Sequence, residues 1–344
     1  MNRRAGQLAV LVAVAAVTGS SIAIAQRPGA GVSRECRREV IKLCGFKGGR
    51  EGIRTCLTQK YQALSEECRG EILSVAAKRT GDSAAVPAGA QAMSYGSDPA
   101  QVLDFWPSAK SGQAPLIVFV HGGGWKRGSK DNATGRYKTE HFPAEGYAFA
   151  SINYRLVPAA TVEQQAADVA NALKALRARA DVDPRRIVLM GHSAGAHLVA
   201  LVGTDERYLK GAGLSFADIA GVVPIDGAAY DVPVQMSDGP QIMQSTYGQA
   251  FGTDPARQRA LSPTFQAGAP NAPQFLLLHV QRPDGIRQAN ALGAALRAGG
   301  SEVEVGSFPG EGLQGHAEIN RRLGDPAYAP TAMVDGWLKK IFAR

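Results

Sequence analysis

The run Arg186-Ile187-Val188-Leu189-Met190-Gly191-His192-Ser193-Ala194-Gly195 changes character halfway along. Arg186–Met190 reads as a short strand buried on both faces, and Ala194–Val202 reads as a helix. Between them stands Gly191-His192-Ser193-Ala194-Gly195, a G-x-S-x-G sequence placed where a strand turns sharply into a helix. A turn that tight leaves no room for Cβ atoms beside the serine, which accounts for Gly191 and Gly195. Ser193 is then lifted to the carboxyl end of the strand and the amino end of the helix, where free N–H groups and the helix dipole favour developing negative charge. G-x-S-x-G also occurs as a plain glycine turn. The strand before it and the helix after it make a nucleophile the better reading.

A second glycine-rich turn lies upstream. Leu116–Val120 is a compact apolar run, and His121-Gly122-Gly123-Gly124-Trp125 follows it. Consecutive glycines let backbone N–H groups approach a ligand closely. In acyl transfer such groups, with the N–H of Ala194, hold the oxyanion of the tetrahedral intermediate. His121 reads as a brace for this loop rather than as a base. Trp125 fits either a pocket wall or packing beneath the loop.

From about Met93 onward, strands and helices alternate. Ala148–Ile152, Val222–Ile225, Phe275–His279 and Val303–Phe308 read as further strands, and Glu163–Arg179 and Ile286–Ala298 as helices. That alternation predicts a mostly parallel, doubly wound α/β sheet with helices on both faces and its site beyond the carboxyl ends of the strands. Residues 231–273 interrupt the rhythm with many Pro, Gly and Gln residues; part of a lid or substrate wall and a plain surface excursion are both open readings there.

His121–Trp125, Asn153-Tyr154-Arg155-Leu156 and Gly191–Gly195 together resemble the α/β-hydrolase superfamily. The nearest branch holds carboxylesterases, feruloyl-esterase-like enzymes and kynurenine-formamidase-like enzymes. The resemblance runs from about Tyr95 to the C-terminus. It implies an α/β-hydrolase fold and an oxyanion hole at Gly123, Gly124 and Ala194, with Asn153–Leu156 as scaffolding. The motifs are specific for the fold and much less so for the substrate.

A histidine base is expected late in the chain, since this fold uses the order Ser, acid, His. Of the six histidines, only His279 and His316 follow the serine from another loop, whereas His197 lies one turn inside the elbow helix. His279 ends a strand. His316 falls in a glycine-rich stretch, Pro309–His316, read as a loop able to deliver an imidazole to Ser193. The acid is expected after the strand Phe275–His279, where Asp284 is the carboxylate available; Glu302, Glu304 and Glu311 are the alternatives. Members of the resembling family carry His-Gly and then an Asp at this strand end, but here His279 is followed by Val280. Pro283-Asp284-Gly285 is also a common turn sequence.

This set, Ser193, Asp284 and His316, predicts hydrolysis of a small-molecule carboxylic ester through an acyl-enzyme. Two rivals stand beside it: an amidase acting on an activated aryl formamide, and a non-catalytic binding protein on a hydrolase scaffold. No H-E-x-x-H, carboxylate cluster, G-x-G-x-x-G or P-loop pattern is present, so neither a metal nor a cofactor is expected.

The first 92 residues have a different composition. Asn2-Arg3-Arg4, the apolar stretch Leu8–Val17 and Ala23-Ile24-Ala25 read as a secretory signal peptide spanning residues 1–25, hence an exported, periplasmic or extracellular protein. All four cysteines, Cys36, Cys44, Cys56 and Cys68, follow it. An even number in an exported segment suggests two disulfides, and the lack of a CxxC pair argues against zinc. Residues 33–80 have helical spacing broken at Cys44–Gly49, which predicts a small helical hairpin over 26–80, stapled by nested bridges 44–56 and 36–68, with Ser65 as an N-cap. The cysteine pattern resembles a cysteine-rich repeat of Golgi-apparatus proteins. Residues 81–92, rich in Gly, Ala, Ser and Pro, read as a linker before a hydrolase domain at 93–344. The net charge is +8, yet residues 1–92 hold 14 Lys/Arg against 7 Asp/Glu. The basic excess therefore belongs to the hairpin, as a solvated surface or as a weak contact with an anionic one. No basic–aromatic interleaving points to nucleic acid.

Overall fold

The computed structural model describes residues 33–45, 56, 60, 63–69, 71 and 88–343. The chain forms two compact units, divided between Ala85 and Val86. The signal sequence read at residues 1–25 lies outside the described residues.

In the first unit, Arg34–Cys44 is a helix, capped by Ser33, whose side chain accepts from Cys36 N. Cys36 is bridged to Cys68 and Cys44 to Cys56, the nested pairing expected of a hairpin. The Ser65 hydroxyl accepts from Cys68 N at 3.2 Å, as an N-cap does.

The second unit is built on one eight-stranded sheet: β1 (Gln91–Ser94), β2 (Val102–Trp106), β3 (Ala114–Val120), β4 (Ala148–Ile152), β5 (Val182–His192), β6 (Gly221–Ile225), β7 (Gln274–Gln281) and β8 (Glu302–Glu311). Their spatial order is β1-β2-β4-β3-β5-β6-β7-β8. The pairs β1–β2 and β2–β4 are antiparallel and the others parallel. The six strands expected from apolar runs are all present. The edge strand β1 and its neighbour β2 were not expected, and β1 begins inside the stretch read as a linker. Both are short and lie at one side of the sheet, where no long apolar run is needed.

The doubly covered sheet follows from the continuous apolar strands. In β3, Leu116, Val118 and Val120 join one core cluster, while Ile117 and Phe119 face the other. In β7, Phe275 and Leu277 alternate with Leu276 and Leu278 in the same manner. Helices Val162–Arg177, Ala194–Thr204 and Pro283–Ala298 supply apolar side chains to the first cluster. The C-terminal helix Ala329–Phe342 closes the second through Val334, Trp337, Leu338 and Ile341. The segment 231–273 is not a plain loop: it holds helices at Val232–Asp238, Gln244–Phe251, Pro255–Ala260 and Pro263–Gln266. Their shortness, and the prolines in the first turns of three of them, hid them from any periodicity argument. Among the described residues, no helix is long and apolar enough to cross a membrane.

Candidate active site

Strand β5 ends at His192, and the helix Ala194–Thr204 starts two residues later. Ser193 stands between them at φ 56°, ψ −118°, a strained conformation for a non-glycine residue. It is held there from several sides. Ser193 N donates to Ile225 O at 3.1 Å, so β6 anchors the turn. A Cβ on Gly191 would collide with the Gly195 carbonyl, and one on Gly195 would collide with the carbonyl of Val120. The elbow is therefore closed against itself and against the end of β3, and only glycine fits at either place. Ala194, as the first helical residue, has an N–H with no intrahelical acceptor.

The glycine loop after β3 lies directly on this turn. A Cβ on Gly122 would come within 3.0 Å of Ser193 Cβ and of the His192 carbonyl. Gly123 has φ 133°, and its Cβ position is filled by the Arg127 carbonyl. Arg127 N in turn donates to Gly123 O at 3.1 Å, which fastens the loop to itself. Trp125, 1% exposed, packs beneath the loop. Its Nε1 donates to His197 Nδ1 at 3.2 Å, and its ring meets Phe251 edge-on at 4.7 Å. His121 is a brace: its ring stacks on Tyr154 at 4.4 Å, and the Tyr154 hydroxyl donates to its carbonyl at 2.9 Å. Asn153–Leu156 thus scaffolds the loop. Arg155 adds a bidentate pair with the fully buried Asp168, with contacts from 2.6 to 3.2 Å.

His316 meets a carboxylate, but not the expected one. Its Nδ1 donates to Asp226 Oδ2 at 2.6 Å. Asp284 instead accepts from Gln235 Nε2 at 3.3 Å and lies 4.0 Å from Arg282 Nη2. The reason is the order of the sheet. Asp226 follows β6 immediately, and β6 is the direct neighbour of β5, with His192 opposite Ile225. Asp284 comes after β7, one strand further out, and its place in the first turn of helix Pro283–Ala298 turns it toward residues 231–273. Glu304 is engaged by Lys340 at 2.7 Å, and Glu311 is exposed at the end of β8. The available cue was Asp226 itself, a carboxylate one residue beyond the expected strand Val222–Ile225.

Asp226 is fully buried, and its backbone has φ 42°. Its Oδ1 accepts from Val280 N at 3.1 Å. Burial pushes the Asp226 carboxyl up. The hydrogen bond from His316, the Arg282 guanidinium, the imidazole charge and the Val280 N–H outweigh burial and hold it below the ordinary aspartate value. With Nδ1–H committed to this carboxylate, His316 keeps Nε2 as a free base nitrogen.

His316 also belongs to a helix, Gly312–Arg322, and not to a loop. The glycines around it serve close backbone approach: a Cβ on Gly315 would collide with the Gly310 backbone. Two contacts fix this helix. His192 Nε2 donates to the His316 carbonyl at 2.9 Å, which ties the residue before Ser193 to the imidazole-bearing residue. Lys138, fully buried, donates through Nζ to Thr134 O at 2.8 Å, to Asn320 Oδ1 at 2.9 Å and to the Asn320 carbonyl, one turn beyond His316. Burial lowers the Lys138 amine to about 7. Nothing in the sequence marks Lys138 as different from any helical lysine.

The other histidines have structural partners. His197 Nε2 donates to Leu261 O at 2.8 Å, His279 Nδ1 to Val280 O at 3.1 Å, and His141 pairs with Asp335 at 2.9 Å. Burial lowers His121 and His197 to about 4 and puts His192 well below the ordinary value, so all three are neutral at pH 7. The segment 231–273 abuts the glycine loop: a Cβ on Gly124 would lie 2.9 Å from Thr246 Cγ2 and 3.6 Å from Met243 Cε. No group of three or more metal-ligating side chains occurs among the described residues.

Known proteins resemble this chain. The BD-FAE family profile matches residues 103–282. Esterase LipC of Mycobacterium tuberculosis is 31% identical over 251 residues, covering 68% of this chain and 62% of LipC. Isoprenylcysteine alpha-carbonyl methylesterase ICME of Arabidopsis thaliana is 34% identical over 128 residues, covering 36% of this chain and 30% of ICME. The chain thus spans less than two thirds of the length of either relative. Among solved structures, Esterase B from Lactobacillus rhamnosis superposes with a TM-score of 0.60 at 23% identity, covering 77% of this chain and 89% of its own. That likeness is one of fold, the α/β-hydrolase fold.

Proposed function

Because this chain belongs to the BD-FAE family, we propose that it is an exported serine hydrolase that cleaves a small carboxylic ester through an acyl-enzyme, with Ser193, His316 and Asp226 as its triad. The observation that carries this reading is the 2.6 Å hydrogen bond from His316 Nδ1 to the fully buried Asp226, on a helix tied through His192 to the Ser193 elbow. Named esterases among the relatives support an ester as substrate. The two disulfides support an oxidising compartment.

In this mechanism Ser193 Oγ attacks the ester carbonyl while His316 Nε2 takes its proton. The negative charge that develops on the carbonyl oxygen is met by backbone N–H groups of Gly123, Gly124 and Ala194. The imidazolium, stabilised by Asp226, returns the proton to the departing alkoxide, and the acyl group stays on Ser193. Water then attacks the acyl-enzyme, giving its proton to His316, and the acid leaves as Ser193 regains its hydrogen. Asp226 keeps Nδ1 protonated throughout, which leaves Nε2 for the proton traffic.

The test is an assay on p-nitrophenyl, feruloyl and aryl-formyl substrates with wild type and Ser193→Ala, with and without a serine-directed phosphonate. The expected result is ester turnover that stoichiometric phosphonate abolishes and that Ser193→Ala lacks while staying folded. Turnover of the formyl amide in preference to every ester would replace this substrate class. Wild-type turnover by Ser193→Ala would remove the mechanism.

A further inference from the structure

Arg282 stands behind the Asp226–His316 pair, and no step of the mechanism uses it. It follows β7 by one residue, and its side chain is only 9% exposed. Its Nε lies 3.1 Å from Asp226 Oδ2, the same oxygen that accepts from His316. The Nε–H is not aimed at that oxygen, however, and has no hydrogen-bond partner. Nη2 donates to the Gly227 carbonyl at 3.2 Å and lies 4.0 Å from Asp284 Oδ2. The position is built around the guanidinium: a Cβ on Gly285 would approach its Nη2 to 3.1 Å and Asp226 Oδ1 to 3.4 Å. A buried cation held against a carboxylate without a directed hydrogen bond from Nε acts there through its charge.

The charge has a definite effect on proton uptake. With His316 neutral, Asp226 and Arg282 form a neutral buried group. A proton added to the Asp226–His316 pair then leaves a net positive charge in a dry place. Without Arg282 the resting pair is negative, and the same proton neutralises it. We propose that Arg282 is a positioning residue whose buried charge opposes proton uptake by the Asp226–His316 pair, so that the base is lost at a lower pH with Arg282 in place than without it. Asp284 is the counterweight, a second carboxylate on the far side of Arg282 that offsets part of its charge.

The neighbouring charges agree with this role. His192 is neutral and contributes only its Nε2–H to the His316 carbonyl. Lys138 acts from the other side on His192 and adds a positive field of the same sign as Arg282. The phenols of Tyr230 and Tyr328 are both raised, chiefly by burial, and stay neutral. Arg282 is thus the charged group in contact with the pair, and it contributes to holding the Asp226 carboxyl low.

The inference rests on Asp226 being the triad acid, and the experiment separates the two. The acid limb of kcat/KM reports proton uptake by the free enzyme. It is measured from about pH 4.5 to 9 for wild type, Arg282→Gln, Arg282→Lys, Asp284→Asn and Asp226→Asn. Arg282→Gln is expected to move the midpoint of that limb up by about one pH unit, the lower end of the effect of a nearby opposite charge on a carboxylate. Arg282→Lys keeps the charge and should restore most of the wild-type midpoint. Asp284→Asn unmasks Arg282 and should move the midpoint down. A purely structural Arg282 would lower the amplitude and leave the midpoint where it is. An unmoved or lowered midpoint in folded Arg282→Gln overturns the inference. If that variant does not fold, an unmoved or raised midpoint in Asp284→Asn overturns it equally. High activity in Asp226→Asn would sink the triad reading itself, whereas an inactive Asp226→Asn with unmoved midpoints sinks only the role of Arg282.

Discussion

His316 and Asp226 are 90 residues apart in the chain and 2.6 Å apart in the fold, Nδ1–H to Oδ2. One comes from the first helix after β8 and the other from the residue after β6. They meet because β6, β7 and β8 are consecutive neighbours in a parallel sheet, so their carboxyl ends share one edge.

This pairing predicts a sharp contrast between two aspartates. Asp226→Asn should lower kcat by several orders of magnitude, on the order of 10⁴ as for a triad acid, with a smaller change in KM. Asp284→Asn should keep a kcat within a few-fold of wild type at pH 8, well above the acid limb. Steady-state kinetics of the two variants on one p-nitrophenyl ester decides it, and the reverse ranking would restore Asp284 as the acid.

The elbow glycines give a packing prediction. Gly195→Ala would drive a methyl group into the Val120 carbonyl, backbone against backbone, with nothing flexible to yield. Loss of soluble protein, or of at least about 3 kcal/mol of stability, is expected from such an overlap. Urea unfolding of Gly195→Ala beside Gly248→Ala is a fair comparison, since a Cβ on Gly248 meets nothing within 4 Å. Equal midpoints for the two would show that the turn is looser than described.

Stability should fall on mild acidification. His121 and His197 are buried and neutral, and burial lowers both to about 4. An unfolded histidine titrates near 6.5, so between about pH 6.5 and 4 the unfolded chain binds more protons than the folded one. Stability is therefore full above that window and lost as pH falls through it, by on the order of 2–3 kcal/mol for each group. His192 acts with the same sign. Asp226, held low, adds a loss only as pH drops below about 4. Thermal midpoints at pH 7.5, 6 and 5 should decline in wild type and decline less in His197→Gln. A flat profile over that range would count against neutral buried imidazoles.

Reduction should separate the two units. Every cysteine lies before Ala85, so the second unit contains none. Cys36–Cys68 and Cys44–Cys56 close the small unit, which has few buried apolar side chains among its described residues. Removing such bridges typically destabilises a small domain by about 2–5 kcal/mol. Dithiothreitol should abolish protease resistance before Ala85 and leave esterase kcat unchanged. A parallel loss of activity would tie the first unit to catalysis.

The sequence by itself determined six of the eight strands, the tight Gly191–Gly195 turn between β5 and its helix, and the late position of His316. Compact apolar runs buried on both faces made β3 to β7 legible as strands, and the alternating Val303–Phe308 stretch did so for the outer strand β8, whereas the short β1 and β2 carry no such run. Ser193 was legible because the elbow is a local steric device: its glycines are required by contacts within five residues and by the strand beside it. His316 stood out by chain order, although its helix did not, since Gly310, Gly312 and Gly315 resemble a loop until the Gly310 backbone at the end of β8 is seen packed against Gly315. Nested disulfides followed from the antiparallel geometry of a hairpin, again a local constraint.

Only the tertiary structure decided which carboxylate His316 meets, and what surrounds that pair. A carboxylate is assigned to a histidine by distance, and both Asp226 and Asp284 stand just past a strand at the correct edge of the sheet. What separates them is the lateral position of β6 beside β5, the positive φ of Asp226, and the turn of Pro283–Asp284 toward Gln235. Arg282 and Lys138 were hidden for the same reason. A buried cation is recognised by what surrounds it, and those neighbours come from segments that the chain brings together only on folding.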